Sequence, residues 1–282
     1  MCDTCGCNIT SGNRHLLAPP LGRANLGQTP EKILSSLLQH NDRQAEANRA
    51  RLDGHGVLTV NLMSSPGSGK TALLESTIRA LNGALRLAVI EGDLETENDA
   101  DRIRALGVPA HQITTGTACH LDAHLVEKAL DKLDLTNLDV LFIENVGNLV
   151  CPASFDLGHH RNVALLSVTE GDDKPAKYPV MFRAADLMLV SKTDLLPYLP
   201  EFSPERAEDC LRNLASLAPA LRLSSKSGEG LEAWIGWLRG EVARYREALR
   251  QQKTLTPRLQ AEGRLLHQAA PEIRFVPVKR AG

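Results

Sequence analysis

Three sets of residues in this chain have types and spacings that could do chemistry. The first is SSPGSGKT, residues 64–71. A Gly-rich loop ending in Lys-Thr, set between an apolar strand and a helix, turns successive backbone N–H groups inward to bind phosphate oxygens at a helix N-terminus. Gly67 and Gly69 let the backbone come close, with Ser68 between them. Lys70 reaches the β- and γ-phosphates, and the Thr71 hydroxyl is placed to hold Mg²⁺. Ser64 stands where the usual pattern has Gly. Mg²⁺ needs further oxygen partners. Asp93, after LAVIEG, and Glu144, after DVLFI, sit at carboxyl ends of strands, where open α/β sheets bind ligands. Lys70, Asp93 and Glu144 are therefore the expected catalytic group. An ordinary loop carboxylate is the plain alternative for each acid taken singly.

The second set would hold a base. Residues 191–194, Ser-Lys-Thr-Asp, resemble the Asn-Lys-x-Asp guanine motif with Ser191 in place of Asn. Guanine suits an Asp at this position: the Asp194 carboxylate can accept from both N1–H and the N2 amino group, and adenine offers no such donor pair there. The Lys192 stem can lie along the base. Ser225 and Lys226, within SSKSG, resemble the loop whose backbone N–H meets guanine O6. The nucleotide expected is GTP, exchanged for GDP, in a pocket loosened by the Ser191 departure. Glu144-Asn-Val-Gly147 resembles the acid-x-x-Gly loop in which a glycine amide senses the γ-phosphate. Some GTPases follow it with a Gln that orients water; here Asn148 is one methylene shorter, so slow intrinsic hydrolysis is expected. Lys174 and Lys177, on a polar loop, either reach a neighbouring molecule or are solvated.

The third set is sulfur and imidazole. Cys2, Cys5 and Cys7 crowd the first seven residues of a chain with 6 Cys in all. The α-amino group of Met1 is the nearest fourth donor, and three sulfurs with one amine suit planar Ni²⁺ better than Zn²⁺. CHLDAH, residues 119–124, is expected to open a helix, with Cys119 and His120 at its frayed start and His124 sharing a face with His120. A helix N-terminus favours thiolate at Cys119. Cys151 follows Gly147 by four residues. From spacing alone, Cys119, His120 and Cys151 fit either a Ni²⁺ or Zn²⁺ set or a buried Cys with an amphipathic His.

The elements that must position these groups alternate. Short apolar strands are expected over 57–63, 85–93, 110–115, 139–147, 163–171, 187–194 and 220–225. Helices are expected over 71–81, 98–107, 119–133, 203–217 and 229–250. That alternation means an α/β fold: a mostly parallel sheet with helices on both faces, of P-loop NTPase type. Ahead of it come a flexible metal-binding arm, 1–28, and an N-terminal helix, 29–53; the GTPase domain spans 54–250, and 251–282 reads as a weakly ordered tail. The formal charge of −2 gives no bulk basic field for nucleic acid. No apolar run reaches the ~20 residues of a membrane span, and no secretory h-region is seen, so a cytoplasmic location is expected. Thiols there stay reduced.

Taken together, SSPGSGKT, IEGDLET, TGTACHLDAH, FIENVGNLVCPASFDLG, VTEGDDKPAKYP and the CDTCGC tip resemble the HypB family, SIMIBI-class GTPases that help insert nickel during [NiFe]-hydrogenase maturation. The resemblance covers about residues 30–250 and the tip. It implies one metal site at Cys2, Cys5 and Cys7 and another at Cys119, His120 and Cys151, the latter in a nucleotide- and metal-dependent homodimer. It also implies exchange with a HypA-type metallochaperone and delivery to a hydrogenase large-subunit precursor. Service to another enzyme such as urease, or passive nickel or zinc storage, are the alternatives. A small-molecule kinase is disfavoured by the two guanine motifs. His159 and His160 map onto no family role.

Overall fold

Strand alternation sorts the core. In β1 (Leu58–Met63), Leu58, Val60 and Leu62 face one side of the sheet, while Met63 packs on the other. The same two-residue period runs through β4 (Val140–Glu144), β5 (Arg161–Ser167) and β6 (Leu187–Ser191). On one face Val140, Phe142, Val163, Leu165, Leu187 and Leu189 share a cluster with Trp234 and Tyr245. On the other face two clusters form, one around Leu141 and Ile143, the other around Leu166 and Val190. Burial on both faces is why these strands read as continuous apolar runs.

The structure is a computed structural model that describes residues 30–93, 97–116, 119–214 and 216–258. With β2 (Leu87–Asp93), β3 (Ala110–Thr114) and β7 (Ala220–Arg222) the strands make a seven-stranded sheet, order β3-β2-β4-β1-β5-β6-β7, every pair parallel. This is the expected α/β architecture. The helices are α1 (Pro30–His55), α2 (Lys70–Leu81), α3 (Asn98–Arg104), α4 (Ala123–Leu130), α5 (Lys174–Lys177), α6 (Pro179–Ala184), α7 (Pro204–Asn213) and α8 (Leu231–Arg250). Parallel pairing brings the carboxyl ends of β1, β4, β5 and β6 to one edge, the edge where ligands bind in open α/β sheets.

Several expectations need correction. The helix expected from 119 begins only at Ala123, because Asp122 caps it by accepting from the Leu125 N–H at 2.8 Å. Cys119 and His120 therefore stand in a turn ahead of α4, and the helix-start argument for a thiolate at Cys119 does not apply. The polar loop around Lys174 and Lys177 contains α5 and leads into α6, whose prolines sit in the first turn, where a missing N–H costs nothing. The expected weak tail is packed over its first part. Leu255 joins the core, Thr254 donates to Asp53 at 3.0 Å and Arg258 lies 3.8 Å from Asp186. Residues 259–282 and the arm with Cys2, Cys5 and Cys7 lie outside the described residues.

Candidate nucleotide and metal site

The loop between β1 and α2 owes its shape to two left-handed glycines, Gly67 at φ 74° and Gly69 at φ 95°. The helix then starts at Lys70 with no acidic residue in its first turn, leaving its amides open to an anion. Ser64, the departure from the usual pattern, is buried and accepts from the Lys70 ammonium at 3.1 Å. Thr71 Oγ1 donates to Glu144 Oε1 at 3.0 Å, and Lys70 Nζ lies 3.9 Å from the same oxygen.

Glu144 has a neighbour that sequence reading missed. Glu91 lies opposite it in the β2–β4 register, and the carboxylates of Glu91, Asp99 and Glu144 fall within 4.8 Å of one another. Burial first, then the charge of Glu144, push the Glu91 carboxyl up to about 11. Burial also raises Glu144, against the pull of Lys70. One oxygen each of Glu91 and Glu144 is buried with no hydrogen-bond partner. An all-oxygen set beside a threonine hydroxyl fits a hard divalent cation, which would displace the Glu91 proton. Asp93, expected in this group, ends β2 at the rim, and its backbone carbonyl receives the Thr115 N–H at 2.9 Å. Glu91 precedes it by two residues in the same apolar run; only strand register singles it out.

The base loop is tied to the phosphate loop. Ser191 Oγ donates to the Ser68 carbonyl at 2.7 Å, so its short side chain bridges the loops and does not loosen them. Lys192, itself left-handed at φ 60°, donates to the Gly67 carbonyl at 2.7 Å, and its stem passes over Gly69. Asp194 Oδ1 accepts from the buried Ser224 hydroxyl at 2.6 Å, which orients the carboxylate. Ser225 and Lys226 follow in the turn that Ser224 closes through its N–H to the Glu229 carbonyl at 2.9 Å.

The thiols meet. Cys119 Sγ lies 3.4 Å from Cys151 Sγ and 3.7 Å from His120 Nδ1. Two sulfurs held ~2.3 Å from one ion stand about 3.3–3.8 Å apart, depending on the angle, so the three donors fit around a single ion. His120 is buried and stacks on Phe155 at 3.9 Å between centroids. Asn148 does not take the place of a water-orienting glutamine. Its amide donates to the Cys119 carbonyl at 3.2 Å and its oxygen accepts from the Val150 N–H at 2.8 Å. His124 is exposed, 3.8 Å from Glu127, and is not part of the group.

Residues 58–222 match the family model described as CobW/HypB/UreG, nucleotide-binding domain. The chain is 53% identical over 239 residues to the hydrogenase maturation factor HypB of Azotobacter vinelandii, covering 83% of this chain and 77% of that one. The chain belongs to the HypB family. Helicobacter pylori contributes a relative called a hydrogenase/urease maturation factor HypB, 44% identical over 218 residues, 76% of this chain and 89% of that one. A crystal structure of HypB from the same organism in complex with nickel superposes with a TM-score of 0.70 at 44% identity, over 73% of this chain and 96% of that one. HypB from Archaeoglobus fulgidus gives 0.68 at 40% identity, over 73% of this chain and all of that one (100%).

In this HypB-family chain the His159–His160 pair is architectural. Both are fully buried. His160 Nδ1 accepts from the Thr59 N–H at 2.8 Å, and its Nε2 lies 3.1 Å from Asp53, which also receives the Tyr245 hydroxyl at 2.8 Å. Burial lowers His159 to about 4, so it stays neutral. Lys177 is paired with Asp173 at 2.6 Å, and Lys174 stands 5.2 Å from the Tyr178 ring centroid. Among the described residues no helix is long and apolar enough to cross a membrane.

Proposed function

We propose that this chain is a GTP-hydrolysing nickel chaperone that gates nickel delivery to the [NiFe]-hydrogenase large-subunit precursor. One observation carries the reading. The Glu144–Gly147 loop touches the phosphate loop, and four residues later the same segment supplies Cys151, 3.4 Å from Cys119. In this reading the Gly67–Thr71 amides and Lys70 hold the phosphates, Lys192 and Asp194 hold guanine, and Ser225 and Lys226 close over its O6 edge. Thr71, Asp93 and Glu144, joined by Glu91, would hold Mg²⁺, which would neutralise charge on the β- and γ-phosphate oxygens. Intrinsic hydrolysis is slow, since Asn148 is engaged at Cys119 and not turned to orient water.

Nickel is the cargo. Cys119, His120 and Cys151 supply two sulfurs and one nitrogen, a set that suits Ni²⁺ and Zn²⁺. Three donors converge among the described residues, a set with room for a further ligand, which favours completion by a second copy in a nucleotide-dependent homodimer, with exchange to a HypA-type partner. Cys2, Cys5 and Cys7 form a second metal site. Service to urease is the second reading, favoured by the hydrogenase/urease naming of the Helicobacter relatives.

The test is hydrogenase activity in a strain deleted for this protein, at limiting and at excess nickel. The wild-type chain should restore activity at limiting nickel, Lys70→Ala and Cys151→Ser should not, and excess nickel should compensate. Full hydrogenase activity in the deletion strain at limiting nickel would count against the proposal.

A further inference from the structure

We infer that Asn145 and Asn148 are positioning residues that staple the nucleotide loop to the Cys119–Leu121 turn, Asn145 as a fixed pivot and Asn148 as the moving arm. The inference rests on the proposed nucleotide-gated metal site and names the parts that would transmit the change.

Asn145 is 1% exposed and held on both sides. Its amide donates to Asn61 Oδ1 at 3.1 Å, and Asn61 in turn donates to Asn162 Oδ1 at 2.9 Å. This row runs from the residue after β4 across β1 to β5, in the middle of the sheet. The Asn145 oxygen accepts from the Leu121 N–H at 3.3 Å and from the Val146 N–H at 3.0 Å. Leu121 is pinned a second time: a Cβ on Gly92 would stand only 2.8 Å from its Cδ1, so the end of β2 and Leu121 are in close contact. The carboxyl end of the turn is thus fixed to the sheet.

Its amino end is fixed elsewhere. The Cys119 carbonyl receives the Asn148 amide at 3.2 Å, and Asn148 also holds the Val150 N–H, next to Cys151. Asn148 is therefore bonded to the chain on both sides of the Cys119–Cys151 pair. Between the two asparagines lies Gly147, against Pro66 of the phosphate loop. A γ-phosphate that draws Gly147 carries Asn148 with it, while Asn145 stays with the strands. Cys119 then turns about Leu121, and Cys151 moves with Val150. Two short amides thereby couple the phosphate loop to the metal donors without a contact between nucleotide and metal.

The experiment uses the full chain as wild type, Asn148→Ala and Asn148→Asp. The Asp variant keeps the acceptor for Val150 and loses the donor to Cys119. Nickel affinity is measured with GDP and with a non-hydrolysable GTP analogue. In metal-free protein, alkylation of Cys119 and Cys151 by N-ethylmaleimide is followed by peptide mass spectrometry in the same two states, with thermal melting as the folding control. The wild type should show a nucleotide-dependent ratio of about fivefold or more in nickel affinity. Both variants should bring that ratio, and the alkylation difference, close to one without lowering the melting temperature. A variant that retains the wild-type ratios, or that weakens nickel equally in both states, overturns the staple. If nickel affinity ignores nucleotide in the wild type while alkylation follows it and Asn148→Ala abolishes that, the staple stands and the nickel-gating reading falls. If neither responds to nucleotide, both fall.

Discussion

Replacing Gly147 by alanine is expected to separate GTP from GDP. Gly147 does not have the left-handed backbone that favours glycine, so alanine suits its backbone and the cost is purely one of contact. A Cβ there would stand 2.8 Å from both Cα and N of Pro66 and 2.9 Å from its Cγ. Ordinary contact begins near 3.4 Å, so the loops must part by about 0.6 Å, and the obstacle is proline backbone that cannot rotate away. Without nucleotide, the 146–148 segment relieves the clash by moving outward while Asn145 stays with the strands. With GTP, the γ-phosphate draws the Gly147 amide back against the phosphate loop, and the strain returns. Overpacking of this kind costs about 1–3 kcal/mol, which corresponds to about 5- to 150-fold in affinity. Titration with fluorescent analogues should show a loss of that size for a non-hydrolysable GTP analogue and less than about threefold for GDP. Equal losses for the two nucleotides, or no loss for the GTP analogue in a protein that melts normally, would refute the reasoning.

Acid should unfold the protein partly through His159. Its folded value of about 4 lies below the ordinary 6.5 because the ring is buried. Below 6.5 the unfolded chain takes up a proton that the folded chain refuses, so stability present above that value is lost as pH falls towards 4. From pH 7 to 5 this residue should account for about 2 kcal/mol, visible in urea unfolding as a steeper pH dependence for wild type than for His159→Gln; identical dependence would contradict it. Ser191→Ala removes the donor to the Ser68 carbonyl at 2.7 Å in a buried position. It should cost about 1–3 kcal/mol in urea unfolding; an unchanged midpoint would show that the two loops are held by other contacts.

Much of this was legible because its signals are local. The Gly-Ser-Gly-Lys-Thr turn, the apolar strand runs and the acids at strand ends are each contained in fewer than about ten residues. What was not legible depends on pairing across the sheet. Glu91 looks like a polar interruption of an apolar run until the β2–β4 register sets it beside Glu144. The late start of α4 turns on one cap, Asp122, that competes with an uninterrupted helical pattern from 119. Spacing aligns Asn148 with a catalytic position, whereas its side chain is claimed by a carbonyl 29 residues earlier in the chain. His159 and His160 offered metal-binding side chains, and their burial over β1 makes them architectural instead.

The central claim is that nucleotide and nickel are linked through the segment from Glu144 to Cys151. Linkage requires that nucleotide change nickel affinity by the same factor by which nickel changes nucleotide affinity. The most direct measurement closes that cycle on the full chain. Nickel is titrated with GDP and with a non-hydrolysable GTP analogue bound, and both nucleotides are titrated with and without nickel. Two equal factors of about fivefold or more are expected, both lost in Cys151→Ser. Identical nickel affinity in the two nucleotide states, with Cys119, His120 and Cys151 intact, would contradict it.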